Sequence, residues 1–151
     1  MEMIRNEDGA TAVGRFSLKL YGADGQLKDE RQIKNVVTTA GLTALAARMA
    51  ADTPSGKFMT YIGIGTGTTG ALAADTTLET EASRKLGSVS SSMAVFTNTV
   101  TFNAGEGTGA ITEAGLLSAS SGGTLFSRQT FAAVNKAAAD SLVVTWNVTL
   151  S

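Results

Sequence analysis

The sequence predicts a mainly β fold, either an antiparallel β-sandwich or a partly open barrel of about seven or eight strands with one α-helix. Apolar and polar residues alternate with a period of two in several short segments, and turn-forming residues recur about every 8 to 12 positions. Only one stretch, about residues 40–51, has helical spacing. The chain of 151 residues suits one domain. We expect an N-terminal arm over residues 1–13 and a single β-sandwich domain over residues 14–151.

The first strand is predicted over residues 14–21, where Phe16, Leu18 and Leu20 alternate with polar residues. Asp24-Gly25 follows as a typical hairpin turn. The chain then returns through residues 26–37 and becomes apolar only at its end. These features predict a hairpin whose second strand enters the core late.

The helix is predicted from one apolar face. Leu42, Leu45, Ala46 and Met49 fall at helical spacing, and the neighbouring alanines favour a helix. Thr38 or Thr39 can cap its start, and the region around Pro54, the only proline of the chain, ends it.

The remaining segments read as strands joined by loops rich in Gly, Ser and Thr. Residues 141–150 show the most regular alternation along the strand. Five large apolar side chains lie on one face of this predicted strand, so another part of the protein must pack against that face. Residues 131–140 are rich in alanine and indicate a loop or a weak helix. The other predicted strands cover residues 58–65, 84–90, 95–103, 111–117 and 124–130.

The apolar sides of these segments define the predicted core. Trp146 is expected there as a buried anchor rather than as an exposed binding aromatic, because its strand is apolar on that side. The predicted core residues are Phe16, Leu18, Leu42, Leu45, Met49, Ile62, Ile64, Phe96, Phe102, Leu116, Phe126, Val144, Trp146 and Val148.

The composition excludes several kinds of chemistry. The sequence has no cysteine and no histidine, so disulfides, thiolate catalysis, a Ser-His-Asp triad and a His- or Cys-ligated zinc site are impossible. With 12 basic and 13 acidic residues, the net charge of −1 creates no global field that would attract nucleic acid or an anionic membrane. No apolar run is long enough to span a membrane, and the acidic N-terminus does not resemble a signal peptide. We expect no catalytic residue, no cofactor and no metal.

Two weak motifs could bind a cofactor or a metal ion. Residues 65–70 match the glycine pattern G-x-G-x-x-G after a strand, but no helix start follows, and a Gly/Thr-rich turn explains them as well. Asp75, Glu79 and Glu81 could together bind calcium through oxygen, although the EF-hand spacing is absent. Pairs of glutamates such as Glu106 and Glu113 are too common in a chain of this composition to indicate glycosidase chemistry.

The segment from Leu86 to Ser127 contains only two charged residues, Glu106 and Glu113. It is either a sheet rich in Ser and Thr with one solvated face or a surface that contacts another protein, since interface cores are depleted of charge. Arg128 is either an exposed edge charge or a partner of Glu113, within the chain or across a subunit boundary. The predicted contact residues are Thr97, Thr99, Thr101, Glu106, Glu113 and Arg128.

Several stretches, in their order along the chain, resemble small structural proteins of tailed-bacteriophage virions. One stretch spans residues 35–49, NVVTTAGLTALAARM, after the Asp-Gly hairpin. A second is YIGIGTGTT at residues 61–69, with LETE at residues 78–81 and Arg84. The third begins with ITEAGLL at residues 111–117 and continues through Arg128 and Phe131 to DSLVVTW at residues 140–146. The resemblance covers roughly residues 14–150.

The resemblance implies a virion role without catalytic residues. Such proteins occur as head-decoration, collar or tail-fibre components, and the absence of a fibrous repeat favours a capsid decoration or cement protein that bridges neighbouring major capsid subunits. A tail-fibre, collar or tail-tip component is the alternative, and a carbohydrate- or receptor-binding module is a third. The expected partners are copies of the chain itself, with a trimer or a dimer as the assembly, and the major capsid protein or other virion proteins. The expected location is the virion, most directly the capsid exterior, after synthesis in the host cytoplasm.

Overall fold

The computed structural model describes residues 12–50 and 58–150, and this part of the chain forms ten strands and one helix. The predicted mainly β architecture is confirmed. The elements, in chain order, are β1 (Ala12–Tyr21), β2 (Leu27–Lys34), β3 (Val36–Val37), α1 (Thr39–Met49), β4 (Tyr61–Gly65), β5 (Glu81–Leu86), β6 (Ser88–Ser92), β7 (Val95–Phe102), β8 (Gly109–Leu117), β9 (Leu125–Lys136) and β10 (Ser141–Leu150).

The strands form two antiparallel sheets of five strands each, and neither closes into a barrel. Sheet 1 has the order β2-β1-β10-β7-β6, and sheet 2 has the order β3-β9-β8-β4-β5. Each sheet turns one face toward the other, so alternate residues along the central strands are buried between them. The strand β10 shows this most clearly, because its residues from Ser141 to Val148 alternate between half-buried and buried.

Two strands of the sandwich change sheets, which explains why ten strands are present where about eight were expected. The segment predicted over residues 26–37 divides into β2 of sheet 1 and β3 of sheet 2, with the buried Asn35 between them. The segment predicted over residues 84–90 divides into β5 of sheet 2 and β6 of sheet 1, with Gly87 at the crossing. A Cβ atom at Gly87 would overlap the side chain of Asn98, so a glycine is required there.

The core lies between the sheets. Trp146, Phe16 and Phe102 are its largest side chains and are at most 1 % exposed. The predicted core residues Leu42, Leu45 and Phe96 are only partly buried and pack against its margin. The remaining predicted core residues that are buried are Leu18, Ile62, Ile64, Leu116, Phe126, Val144 and Val148.

Met49 is predicted to be in the core, but the structure places its side chain on the surface with an exposed fraction of 82 %. The helix backbone lies against sheet 2 at its start, where a Cβ atom at Gly41 would be 2.7 Å from the backbone of Phe126, and Gly41 is its one buried residue. Thr38 caps that end by accepting a hydrogen bond from the N–H of Gly41 at 2.9 Å and donating to the carbonyl of Leu125 at 2.5 Å. Burial then decreases along the helix, so the expectation for Met49 is corrected.

Residues 131–136 correct a second expectation, because they continue β9 instead of forming a loop or a weak helix. The N-terminal part of β8 pairs with them, for example Ile111 opposite Val134. Val134 is completely buried and its neighbours in sequence are exposed, so pairing with β8 determines the conformation of this alanine-rich stretch.

Some expectations fall outside the described residues. Of the predicted N-terminal arm, residues 1–11 are not described, and Ala12 and Val13 already belong to β1. Residue 51 of the predicted helix is also not described. The described residues contain one α-helix, and its 11 residues are too few to cross a membrane.

Candidate contact surface

Three neighbouring strands of sheet 1, namely β6, β7 and β10, contain no charged residue. The charges of this sheet are confined to β1 and β2. The side chains of the three strands that point away from the core form what we call the uncharged face. Its residues are Ser88, Ser90, Ser92, Val95, Thr97, Thr99, Thr101, Val143, Thr145, Asn147 and Thr149.

The registers of the strands place hydroxyl and amide groups beside one another across this face. Thr97 lies opposite Asn147, and its hydroxyl donates to the Asn147 Oδ1 at 2.8 Å. Thr99 lies opposite Thr145, so the two side chains occupy the same side of the sheet. The predicted contact residues Thr97, Thr99 and Thr101 therefore lie together, half-buried or exposed, on one surface.

Glu106 lies apart from the uncharged face. It belongs to the loop between β7 and β8, where its carboxylate accepts hydrogen bonds from the Lys85 ammonium at 2.8 Å and from the Asn103 N–H at 2.7 Å. The Lys85 hydrogen bond, followed by the Asn103 hydrogen bond, lowers the pKa of Glu106 below its usual value. Its role in this structure is to hold a loop.

Glu113 and Arg128 are also not surface residues, which corrects the expectation that they contribute to contacts. They lie on the adjacent strands β8 and β9, and their exposed fractions are 0 % and 3 %. The Arg128 Nη2 donates to the Glu113 Oε2 at 3.0 Å, so the intrachain pair is formed. The Arg128 Nη1 also donates to Asp75 at 2.9 Å, and the Nη2 donates to the carbonyl of Thr69 at 3.0 Å.

This buried pair anchors the long loop between β4 and β5. The Glu113 carboxylate accepts hydrogen bonds from the N–H groups of Glu79 and Thr80 at 3.2 and 3.1 Å, in addition to that from Arg128. Both the start and the end of the loop are thereby tied to the central strands of sheet 2. The buried charges are compensated by one another and by backbone groups, as charges in an interior must be.

The G-x-G-x-x-G motif at residues 65–70 belongs to the same loop. Its N–H groups at Thr68 and Thr69 donate to the Glu79 carboxylate at 3.3 and 3.2 Å, so they are engaged by the protein's own anion. Hydrogen bonding from Thr69, followed by that from Thr68, lowers the pKa of Glu79. A Cβ atom at Gly67 would overlap the Glu113 carboxylate and lie 2.6 Å from the Glu79 Cβ. Gly65 and Gly67 thus make room for the Glu113 carboxylate, which explains their place in the motif without a nucleotide, whereas a Cβ atom at Gly70 would meet nothing within 4 Å.

The three carboxylates considered for calcium are separately engaged. Asp75 binds Arg128, Glu79 accepts from the loop backbone, and Glu81 pairs with Arg84 at 2.6 Å. Among residues 12–50 and 58–150, no group of three or more acidic side chains is arranged to hold a metal ion.

Trp146 is unsuited to stacking on a ligand because it is completely buried. Its ring stacks on Phe16 with a centroid distance of 4.2 Å. Tyr61 is half-buried and packs against the small apolar cluster around Leu78.

The free edge of sheet 1 is a feature that the sequence pattern did not single out. Among residues 12–50 and 58–150, the strand β6 pairs with β7 on one side only, and its sequence is SVSSS. Leu86 just before it is 64 % exposed, and Met93 just after it is fully exposed. Met93 has a φ of +53°, a backbone region that favours glycine, and it lies in the two-residue connection between β6 and β7.

Comparisons with known proteins add no relative: no protein-family model, no curated protein and no solved structure matches this chain.

Proposed function

We propose that the protein is a non-enzymatic structural component of a tailed-bacteriophage particle, which acts by covering and bridging neighbouring protein subunits. The observation that carries this proposal is the uncharged face, in which three adjacent strands present hydroxyls, amides and valines without a charge. Removing water from such a surface costs less free energy than removing it from a charged surface. The cores of protein interfaces are similarly depleted of charge.

The arrangement of the remaining polar groups supports the proposal. Arg128, Glu113 and Asp75 are engaged in one internal network, and Glu106 holds a loop. These groups stabilise the fold and the loops, whereas an acid–base site needs a carboxylate directed at a substrate. The alternative of a carbohydrate-binding module is less well supported, because Trp146, the aromatic residue that would stack on a sugar, is buried.

The specific role that we propose is capsid decoration, in agreement with the resemblance of residues 14–150 to small virion proteins. A protein that binds neighbouring shell subunits adds contact area only to the assembled lattice. It therefore shifts the equilibrium toward the closed shell by mass action. The major capsid protein is the partner in this proposal, and the uncharged face is the surface that meets it.

Quantifying the protein in purified particles tests the role directly. Gel densitometry against the major capsid protein should give hundreds of copies per particle for a decoration protein. A dozen copies or fewer would instead indicate a collar or tail component, and absence from particles would contradict the proposal.

A charge on the uncharged face tests the surface. Thr99→Lys should preserve the melting temperature, because residue 99 is only half-buried, and should reduce incorporation into particles. The matched control is Lys19→Thr on the charged strand β1, which should leave incorporation unchanged. Normal incorporation of Thr99→Lys would exclude this face.

A further inference from the structure

Two positively charged side chains of sheet 1 lie directly opposite each other. Arg15 on β1 is the register partner of Lys34 on β2, and both side chains are exposed on the outer side of the sheet. Like charges that lie directly opposite each other on neighbouring strands repel and destabilise the pair. An anion bound between these two cations would remove the repulsion.

The other three basic residues of sheet 1 each form an ion pair with an acidic residue: Lys19 with Glu30, Lys28 with Asp140, and Arg31 with Asp29. Among residues 12–50 and 58–150, Arg15 and Lys34 are the only basic side chains without a hydrogen bond, an ion pair or a ring contact. The first acidic residue along the same side of β2 is Glu30, about 13 Å from Lys34 along the strand. It lies opposite Lys19 and therefore does not neutralise the pair.

The two cations border two hollows in the surface. One hollow, of about 520 Å³, is lined by both cations together with Val36 and Gln129. The other, of about 370 Å³, extends from Arg15 to Asn147 and Thr149 of the uncharged face. Arg15 lines both hollows, so a segment of a partner that reaches the cations can continue onto the uncharged face.

We propose that Arg15 and Lys34 bind a carboxylate of the protein that covers the uncharged face, supplied by an Asp or Glu side chain of that partner. This inference rests on the proposed function and states which charge its partner must carry. The guanidinium can donate two parallel hydrogen bonds to one carboxylate, and the ammonium supplies a second positive charge. Because the cations lie on strands beside one margin of the uncharged face, their ion pairs fix the orientation in which the partner binds.

The small size of the cationic patch favours a protein carboxylate over a nucleic acid. A nucleic-acid strand carries a phosphate about every 3.4 Å, and proteins bind it by neutralising several phosphates. On the described part of β1 and β2, the next charges on the same side are Lys19 and Glu30, which neutralise each other. One or two acidic side chains therefore match the patch, whereas the further phosphates of a nucleic acid would meet no cation there.

An acidic peptide tests the site on the full chain. The probe is a short peptide of alternating glutamate and serine, and its uncharged counterpart contains glutamine in place of glutamate. An NMR titration at low ionic strength should show amide shifts at residues 13–17, 32–34 and 147–149 with the acidic peptide alone. Added salt should weaken the binding, because exposed ion pairs are screened.

Arg15→Gln and Lys34→Gln should each weaken binding of the acidic peptide about fivefold or more, because each removes one of the two charges. Neither substitution should lower the melting temperature, because neither side chain has a partner among the described residues to lose. The matched control is Lys19→Gln on the same side of β1. It should leave the affinity unchanged, because Lys19 already faces Glu30.

Equal affinity for the acidic and the uncharged peptide, or wild-type affinity in both variants, would overturn the inference. Tighter binding of a thymidine oligonucleotide of the same length would also overturn it, because the ligand would then be a phosphate. The variant Glu7→Gln with Asp8→Asn should bind the peptide as the wild type does. Tighter binding by this variant would identify the chain's own carboxylates as the occupant and would contradict a partner's role.

Incorporation into particles separates this inference from the proposed function. The double variant Arg15→Gln with Lys34→Gln should be incorporated less than the wild type. Absence of the wild-type protein from particles contradicts the proposed function alone. Normal incorporation of the double variant contradicts this inference alone.

Discussion

Trp146 stacks on Phe16, its register partner on the neighbouring strand, with a ring-centroid distance of 4.2 Å and an interplanar angle of 24°. The Asn35 side-chain amide is oriented so that both of its polar atoms have partners. Its oxygen accepts a hydrogen bond from the Trp146 Nε1 at 2.7 Å, and its nitrogen donates one to the Gly14 carbonyl at 3.1 Å. The largest side chain of the core thereby links β1, β10 and the crossing between β2 and β3.

Trp146→Ala should lower the free energy of unfolding by about 3–5 kcal/mol, because it leaves a cavity and removes a stacked pair. Urea denaturation followed by circular dichroism measures the change. Asn147→Ala, on the opposite side of the same strand, is the control and should cost about 1 kcal/mol or less. A wild-type midpoint for Trp146→Ala would contradict its assignment as the core anchor.

Arg128→Met should destabilise the fold by about 3–5 kcal/mol, because it leaves the Glu113 carboxylate buried without its cation. The double variant Glu113→Gln with Arg128→Met should be more stable than Arg128→Met alone, since it contains no unpaired buried charge. Thermodynamic cycles from urea denaturation measure this coupling. Additive effects of the two substitutions would contradict a direct interaction.

Gly67→Ala should destabilise the protein by about 1–3 kcal/mol, because the new methyl group displaces the Glu113 carboxylate from its hydrogen bonds. Gly70→Ala is the matched control in the same loop, since nothing lies within 4 Å of a Cβ atom there. Thermal unfolding of the two variants compares them. Equal melting temperatures would refute the explanation of this glycine motif by internal packing.

Stability should decrease in acid as Asp140 is protonated. The Lys28 hydrogen bond at 2.7 Å, followed by the Ala137 N–H at 2.9 Å, lowers the pKa of Asp140 below the usual 3.8. A lowered folded-state pKa means that the unfolded chain binds the proton more readily, so the stabilisation is present above pH 3.8 and is lost as the pH falls through the folded-state pKa. Asp140→Asn should reduce the difference between urea midpoints at neutral and acidic pH. An unchanged difference would exclude Asp140 as a contributor.

The sequence predicts the strands that face one core, because their burial follows directly from the period of two. Trp146 and Val144 on β10 are examples, and both are completely buried. The period of two does not predict the structure of segments whose conformation depends on the strands that pair with them. Residues 131–136 lack a strong strand signal and become a strand because the N-terminal part of β8 pairs with residues 134–136, beyond a shift in register. Met49 continues a helical apolar face, but burial decreases along the helix and leaves Met49 exposed at its end.

The proposed contact surface follows from the sequence only in part, for a similar reason. A low density of charge along the sequence identifies the strands that carry Thr97, Thr99 and Thr101. It does not reveal that Glu113 and Arg128 face inward, because their burial depends on a loop some 35 to 60 residues away in sequence. The free edge at β6 is likewise a property of the order of strands in the sheet.

The crossing at Gly87 has a mechanical consequence for any particle that contains this protein. Because β5 and β6 are one continuous stretch of backbone shared by both sheets, a pull on β6 is resisted by its bonds to β7 and, through Gly87, by the bonds of β5 to β4. Tension applied at this margin is divided between two layers of the sandwich, so a single strand is not peeled away alone.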